Sequence, residues 1–315
     1  MQIAITTTVK SCSAETLANF ASYHLSIGFD YIFFFFDDEN EIPPDVTIKE
    51  ERIIIIKNDD LLQRSWQKTK LRHMLEYTSS DLIARQVLNI EAAINLSLQL
   101  NVSWILHIDV DELFYAPAYN NVKDHFKYME QQHIQSINYV NYEAICEKTY
   151  IDNYYKEVTL FKRNPLTLTL KQKDLIQCHY PGGMKNFFLF YGNGKPAGKV
   201  SARLTPNGPH FFKNAIQFYP NTGPIILHYP VCGFENFYNK YHTLGFFPDL
   251  WLGEYSIEQQ LPFHIRARNI IHSQTRQQAE KFYNHEVVIS DQKLIEQLLI
   301  NEIFCRIHKP SQAFK

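Results

Sequence analysis

Residues 103–114 read SWILHIDVDELF. The run from Trp104 to Val110 is mostly apolar and ends in Asp109, Asp111 and Glu112. A strand buried on both faces of a parallel sheet reads as such a near-continuous apolar run, so 104–110 is expected to be a central strand. Its charged end needs a physical reason, because burying an unpaired carboxylate is costly. In an extended strand residues i and i+2 share a face, which would point Asp109 and Asp111 the same way. Two like charges held side by side call for a cation, and their hard oxygens suit magnesium or manganese. Such an ion keeps several waters and binds substrate phosphates, which makes a nucleoside diphosphate the expected ligand.

Upstream of this stretch, QIAITTTV (2–9), YIFFFF (31–36) and RIIIIK (52–57) read as further strands. Ser13 is placed as a helix N-cap, with Leu17, Phe20, Ala21, His24 and Leu25 at helical spacing and Gly28 where a terminating glycine belongs. Helical patterns also cover about 61–77 and 81–100. Apolar strands alternating with helices predict an α/β fold: a largely parallel, Rossmann-like sheet flanked by helices. Ligands of such sheets bind beyond the carboxyl ends of the strands, where Asp37, Asp38, Asp109 and Asp111 all fall.

Downstream the pattern changes. SINYVNY (136–142), VTLFKR (158–163), NFFLFY (186–191) and KVSARL (199–204) read as short strands of a mixed half. GNGKPAG (192–198) reads as a hairpin turn between two of them, since no strand-to-helix fingerprint surrounds it. The C-terminal part reads as helical, with Ser290 as an N-cap and Leu294, Leu298 and Ile303 as one apolar stripe.

Composition narrows the function classes. A net charge of −2 gives no electrostatic reason to expect nucleic acid or an anionic membrane as partner. With 23 Phe and 19 Tyr, aromatic rings suffice for both a core and a sugar-stacking surface. Five cysteines, an odd number without a C-x-x-C pair, predict neither a zinc site nor a disulfide framework but reduced thiols and a cytoplasmic location. No signal peptide and no membrane span are expected. There is no G-x-S-x-G elbow and no Walker loop, and a phosphatase-type D-x-D would sit on the first strand.

Several blocks carry a resemblance. TTTVKSCSAETLANFASYHLSIGFDYIFFFFDDEN (6–40), Arg85-Gln86, WILHIDVDELF (104–114), GKVSARLTPNGPHFF (198–212) and ILHYPVCGFENFYNKYHTLG (226–245) occur in order. Together they resemble the family 2-like and family 92 glycosyltransferases of the GT-A fold. Lys10-Ser11-Cys12 departs from the Lys-Asn-Glu common in those families, and the last seventy or so residues carry no match. The resemblance implies a single domain, with 1–114 as nucleotide-sugar half, 115–245 as acceptor half and 246–315 as a helical tail. It implies a metal-dependent, inverting transfer from a nucleotide sugar, a UDP-sugar by expectation, to the hydroxyl of a glycan or other acceptor.

In that scheme Asp37 and Asp38 lie beside the nucleoside, and Thr8, Lys10, Arg85, Gln86, Asp109 and Lys199 surround the donor. Asp109, Asp111 and His228 hold Mn2+ or Mg2+. Lys199 and His210 stand between phosphate contact and scaffolding, and His107 is structural. Inversion needs one carboxylate base; the candidates are Asp249 and Glu254, in the aromatic stretch GFFPDLWLGEY (245–255), or Asp152 and Glu235, with Asp249 preferred because Trp251 and the neighbouring phenylalanines offer a sugar-stacking wall. The competing expectations are a non-catalytic nucleotide- or carbohydrate-binding protein and a metal-dependent phosphohydrolase.

Overall fold

The computed structural model describes residues 1–44, 51–180, 182–218 and 223–314. Two compact units emerge: 1–140 with 193–226, and 141–192 with 227–315.

In the first unit, chain order gives strands β1 (Ile3–Val9), β2 (Tyr31–Phe36), β3 (Ile53–Ile56), β4 (Trp104–His107), β5 (Glu112–Tyr115) and β6 (Ser136–Tyr139). Its main helices are α1 (Ala14–Ser26), α2 (Asp60–Trp66), α3 (Leu82–Gln99) and α4 (Val122–Gln131). Ser13 caps α1 by accepting from the Thr16 amide, and Asp81 caps α3 by accepting from that of Ile83. The expected helix over 61–77 is instead α2 followed by a 3-10 turn, Arg72–Tyr77.

A seven-stranded sheet runs in the order Ile216–Phe218, β6, Lys195–Lys199, β4, β1, β2, β3. Its pairings are parallel except on the two sides of Lys195–Lys199, which runs against β4 and β6. The α/β class and the largely parallel sheet are therefore as the apolar runs predict. Strand β2 shows why: Ile32, Phe34 and Phe36 bury on one face with α1 and α4, while Phe33 and Phe35 bury on the other against α3. Each fully buried phenylalanine contributes about 1.5–3 kcal/mol. The order β3-β2-β1-β4 places the switch point of the sheet between β1 and β4, at whose carboxyl ends a crevice opens in such folds.

Three expectations fail here. Strand β4 stops at His107, and Asp109 and Asp111 sit in a tight connection in which the Glu112 amide donates to Asp109 O (3.0 Å), so the shared-face argument for the two aspartates does not apply. The segment KPAGK (195–199), expected within a turn, is the central antiparallel strand, whereas NFFLFY and KVSARL are not strands. Gly194 makes this possible. Its φ is +77°, and a Cβ there would lie 2.0 Å from Tyr139 O, so only glycine lets the chain enter the sheet this close to β6.

The second unit contains antiparallel strands Asn141–Ala144, Leu160–Lys162 and Phe304–Arg306, with helices Phe234–Leu244, Pro262–Ser273, Arg276–Glu286 and Gln292–Ile300. The last helix is capped by Asp291 rather than Ser290, and Ile303 lies beyond it, so the expected stripe belongs only partly to the helix. Glu143, 1% exposed, organises the interior. It accepts from Lys162 Nζ (2.8 Å) and from the amides of Leu189 (3.1 Å) and Phe190 (2.9 Å). All five cysteines are free thiols. Among the described residues no helix is long and apolar enough to cross a membrane.

Buried histidines make the first unit acid-sensitive, His24 and His125 among them. His24 accepts the Phe114 amide proton at Nε2 (3.1 Å), so Nδ1 carries the proton donated to Phe20 O (2.8 Å). Burial lowers His24 to about 3 and His125 to about 4. Both rings stay neutral in the folded state while the unfolded chain binds protons below about pH 6.5. Stability is thus full above that pH and is lost as the pH falls toward the folded values. We expect urea unfolding at pH 5 to show a loss of about 2 kcal/mol per histidine relative to pH 7.5. Equal midpoints at the two pH values would show that these rings take up no proton on unfolding.

Candidate functional site

The carboxyl edge of the first unit's sheet gathers the polar side chains that the apolar strands cannot bury within their length. After β2, Asp37 is 5% exposed and receives both Nε (2.5 Å) and Nη2 (2.9 Å) of Arg85, from the first turn of α3. Nη1 of the same guanidinium donates to Thr78 O (2.5 Å). Asp38 is exposed and accepts the Asn40 amide (2.9 Å). At the end of β1, Thr8 Oγ1 accepts from Asn89 Nδ2 (3.1 Å), and Lys10 is half-buried just beyond.

After β4, Asp109 is engaged through both oxygens. Oδ1 accepts from Gln86 Nε2 (3.1 Å), and Oδ2 accepts from Lys195 Nζ (2.6 Å). The Asp109 amide donates to Glu112 Oε2 (2.7 Å), which lies 3.6 Å from the same ammonium. Lys195 and Glu112 are 1% and 0% exposed at their side chains. Burial pushes the Asp109 carboxyl up, but the Lys195 charge, with smaller help from His107, outweighs it and holds the group well below the usual range. Glu112 behaves oppositely: burial, joined by the charges of Asp109 and Asp111, raises it well above the usual range against the pull of Lys195. One lysine therefore serves two carboxyl groups, one ionised and one held toward its protonated form.

Two histidines complete this cluster. His107 Nδ1 donates to Pro209 O (2.8 Å), and its buried Nε2 makes no hydrogen bond. His210 Nδ1 donates to Gly194 O (2.9 Å), while its own carbonyl accepts from Asn138 Nδ2. Burial, reinforced by the Lys195 charge, lowers His107 to about 4 and His210 to about 3, so both are neutral. Asp111 is half-buried in the turn beside them.

Asp37, Arg85, Gln86, Asp109 and Asp111 thus belong to one sheet edge. Lys199 does not: it pairs with Trp104 at the opposite end of β4 and contacts Glu130 (3.1 Å). The lysine that reaches the aspartates is Lys195, at the start of the same strand. An antiparallel strand brings its first residue to the carboxyl end of its neighbour, so adjacency to β4 was the missing signal.

The remaining candidates lie in the second unit. His228 is 2% exposed and stacks on Tyr191 (ring centroids 4.7 Å), with the Phe190 ring edge-on at 5.7 Å. Asp249 is ion-paired with Arg268 (2.7 Å), whose guanidinium also lies over Phe246 (4.4 Å). Glu254 is exposed in the turn between two short strands and makes no ion pair among the described residues. Glu235 pairs with Arg276, and Asp152 is exposed.

The donor set expected for a metal was tested against this geometry. Among the described residues no three His, Cys, Asp or Glu side chains gather in a group able to hold a metal ion. Asp109 in particular has its two oxygens on Gln86 and Lys195. Within the first unit, Asp109 and Asp111 alone do not fit a protein-built metal site.

No protein-family model matches the chain. Two Arabidopsis thaliana proteins described as glycosyltransferase-like are each 28% identical to it over 98% of its length. The chain spans 71% of the first and 62% of the second. Among solved structures, core-mannan synthase A from Aspergillus fumigatus in a Mn/GDP form matches 64% of the chain and 60% of its own length, with 11% identity and a TM-score of 0.30. That likeness is too loose to carry residues or ligands across. The similarity to the plant proteins runs along nearly the whole of this chain.

The Asp37–Arg85 pair allows a direct test of this edge. Replacing Arg85 leaves a carboxylate that is 1% exposed without its cation. Arg85→Met should cost about 3–5 kcal/mol in urea unfolding, whereas Asp37→Leu/Arg85→Met should recover most of it. An unchanged midpoint for the single variant would mean that water, not Arg85, supports Asp37.

Proposed function

We propose that this protein is a glycosyltransferase that binds a nucleotide sugar, a UDP-sugar in the first instance, at the carboxyl edge of its parallel sheet. The sugar would pass, with inversion, to a hydroxyl of a glycan or comparable acceptor. The observation that carries the reading is the β3-β2-β1-β4 order, with Asp37 and Asp38 beyond β2 and Asp109 and Asp111 beyond β4, on either side of β1. Similarity along the chain to proteins described as glycosyltransferase-like supports the same class.

The residues divide the work by environment. Asp38, exposed beyond β2, offers an acceptor for a nucleoside, while Asp37, buried in a bidentate pair with Arg85, fixes the strand end that presents it. Asp109, locked by Gln86 and Lys195, positions the turn that presents Asp111. Inversion requires a base on the acceptor side to take the proton of the attacking hydroxyl. Asp249, the candidate preferred from the sequence, is held by Arg268, so the proposal takes Glu254 as the base instead. Manganese or magnesium remains the expectation of the sequence resemblance, but the side chains do not build a site for it, and no step here is routed through one.

A thermal-shift panel tests the reading. UDP and one UDP-sugar should raise the melting temperature by several degrees, about the effect of ligand at a hundredfold excess over its Kd. Asp111→Asn should reduce sugar transfer or donor hydrolysis by at least about tenfold while changing stability by no more than about 1 kcal/mol. If no nucleoside diphosphate among UDP, GDP and ADP shifts the melt, the donor site is misplaced.

A further inference from the structure

Lys195 has a setting that the expected chemistry does not use. Its ammonium is buried, 2.6 Å from Asp109 Oδ2 and 3.6 Å from Glu112 Oε2, and Asp109 Oδ1 is taken by Gln86. A divalent ion of the magnesium or manganese type needs several oxygen ligands at about 2.0–2.2 Å. At Asp109 each oxygen already holds an N–H donor, so a metal there would have to compete with Gln86 on one and with the Lys195 ammonium on the other. The mount is rigid: Lys195 pairs with Tyr139 of β6 in the sheet, and Gly194 fixes the approach just before it. Around the ammonium, His107 Nε2 and Glu112 Oε1 are buried acceptors without a hydrogen bond.

We infer that Lys195 is a tethered cation in the place where a D-x-D metal would be held, so that the site receives a nucleoside diphosphate without requiring a divalent ion. Lys195 lies against both Asp109 and Glu112, so its charge offsets the negative charge that this turn would otherwise present to an incoming diphosphate. This role is electrostatic and positional, and no proton or bond is exchanged by Lys195. The inference rests on the donor-site reading only where the diphosphate is concerned; the state of Asp109 can be read without any nucleotide.

The test pairs two calorimetric titrations on the whole chain. Manganese is titrated into the nucleotide-free protein, and UDP is titrated in EDTA and then in manganese. The wild type should take up no stoichiometric manganese at Asp109, and its UDP affinity should differ by no more than about twofold between the two buffers. Lys195→Met exposes the Asp109 carboxylate, so it should gain a manganese equivalent. It should also lose about tenfold or more in UDP affinity in EDTA, with recovery in manganese. Lys195→Arg should behave as the wild type. The inference is overturned if wild-type protein binds one manganese that Asp109→Asn abolishes, or if Lys195→Met matches the wild type in both titrations. Should Lys195→Met fail to fold, as circular dichroism would reveal, the wild-type and Asp109→Asn manganese arms decide the question. A complete failure of UDP to bind would instead count against the donor site and leave the manganese result to judge Lys195.

Discussion

Lys195 between Asp109 and Glu112 is the contact on which the sheet edge depends. Without a cation, two desolvated carboxyl groups separated by two residues would stand against each other uncompensated in the turn after β4. With it, Asp109 is ionised, Glu112 shields the Asp109 amide, and the turn that carries Asp111 has a fixed shape. The histidines follow from the same contact. A buried positive charge disfavours protonation nearby, so His107 and His210 remain neutral and spend their Nδ1 protons on Pro209 and Gly194, tying two loops to the strand ends.

How far this was legible in the sequence depends on where local and tertiary signals agreed. YIFFFF, IAITTTV and WILH are strands because apolar residues on both faces leave them no other stable place, and Ser13 and Asp81 cap helices as their local chemistry directs. KPAGK was misread because glycine and proline are turn signals in isolation. The structure uses them for packing instead: Gly194 allows close approach to β6, and Gly198 lies beneath Leu204 and Phe212, where a Cβ would meet Leu204 Cδ1 at 2.6 Å. A strand built from small residues has no hydrophobic periodicity to announce it. Its lysine was invisible as a site residue for the same reason, and Lys199, one strand length away, drew the attention.

The aspartates illustrate a different limit. Spacing identifies D-x-D, but whether the pair lies on a strand or in a turn is decided by where β4 ends, and boundaries are the part of a pattern that sequence constrains least. Likewise nothing local to Asp37 announces that α3 delivers Arg85 onto it with two hydrogen bonds. Both cases turn on a partner far away in sequence: 86 residues for Lys195 and 48 for Arg85.

The second unit applies the same device to a different end. Glu143 is as buried as Glu112, and it too has one lysine, Lys162, but it also receives two backbone amides, from Leu189 and Phe190. Charge-assisted bonds from backbone leave little freedom for rearrangement, so Glu143 behaves as a fastener for the segment that ends at Tyr191, the ring on which His228 stacks. Glu112 receives one amide and keeps an oxygen without a partner. The difference separates a carboxylate used wholly for structure from one left partly unsatisfied at a sheet edge. An unpaired buried oxygen is a cost, and Glu112 bears it beside Asp109 and Lys195 where Glu143 does not.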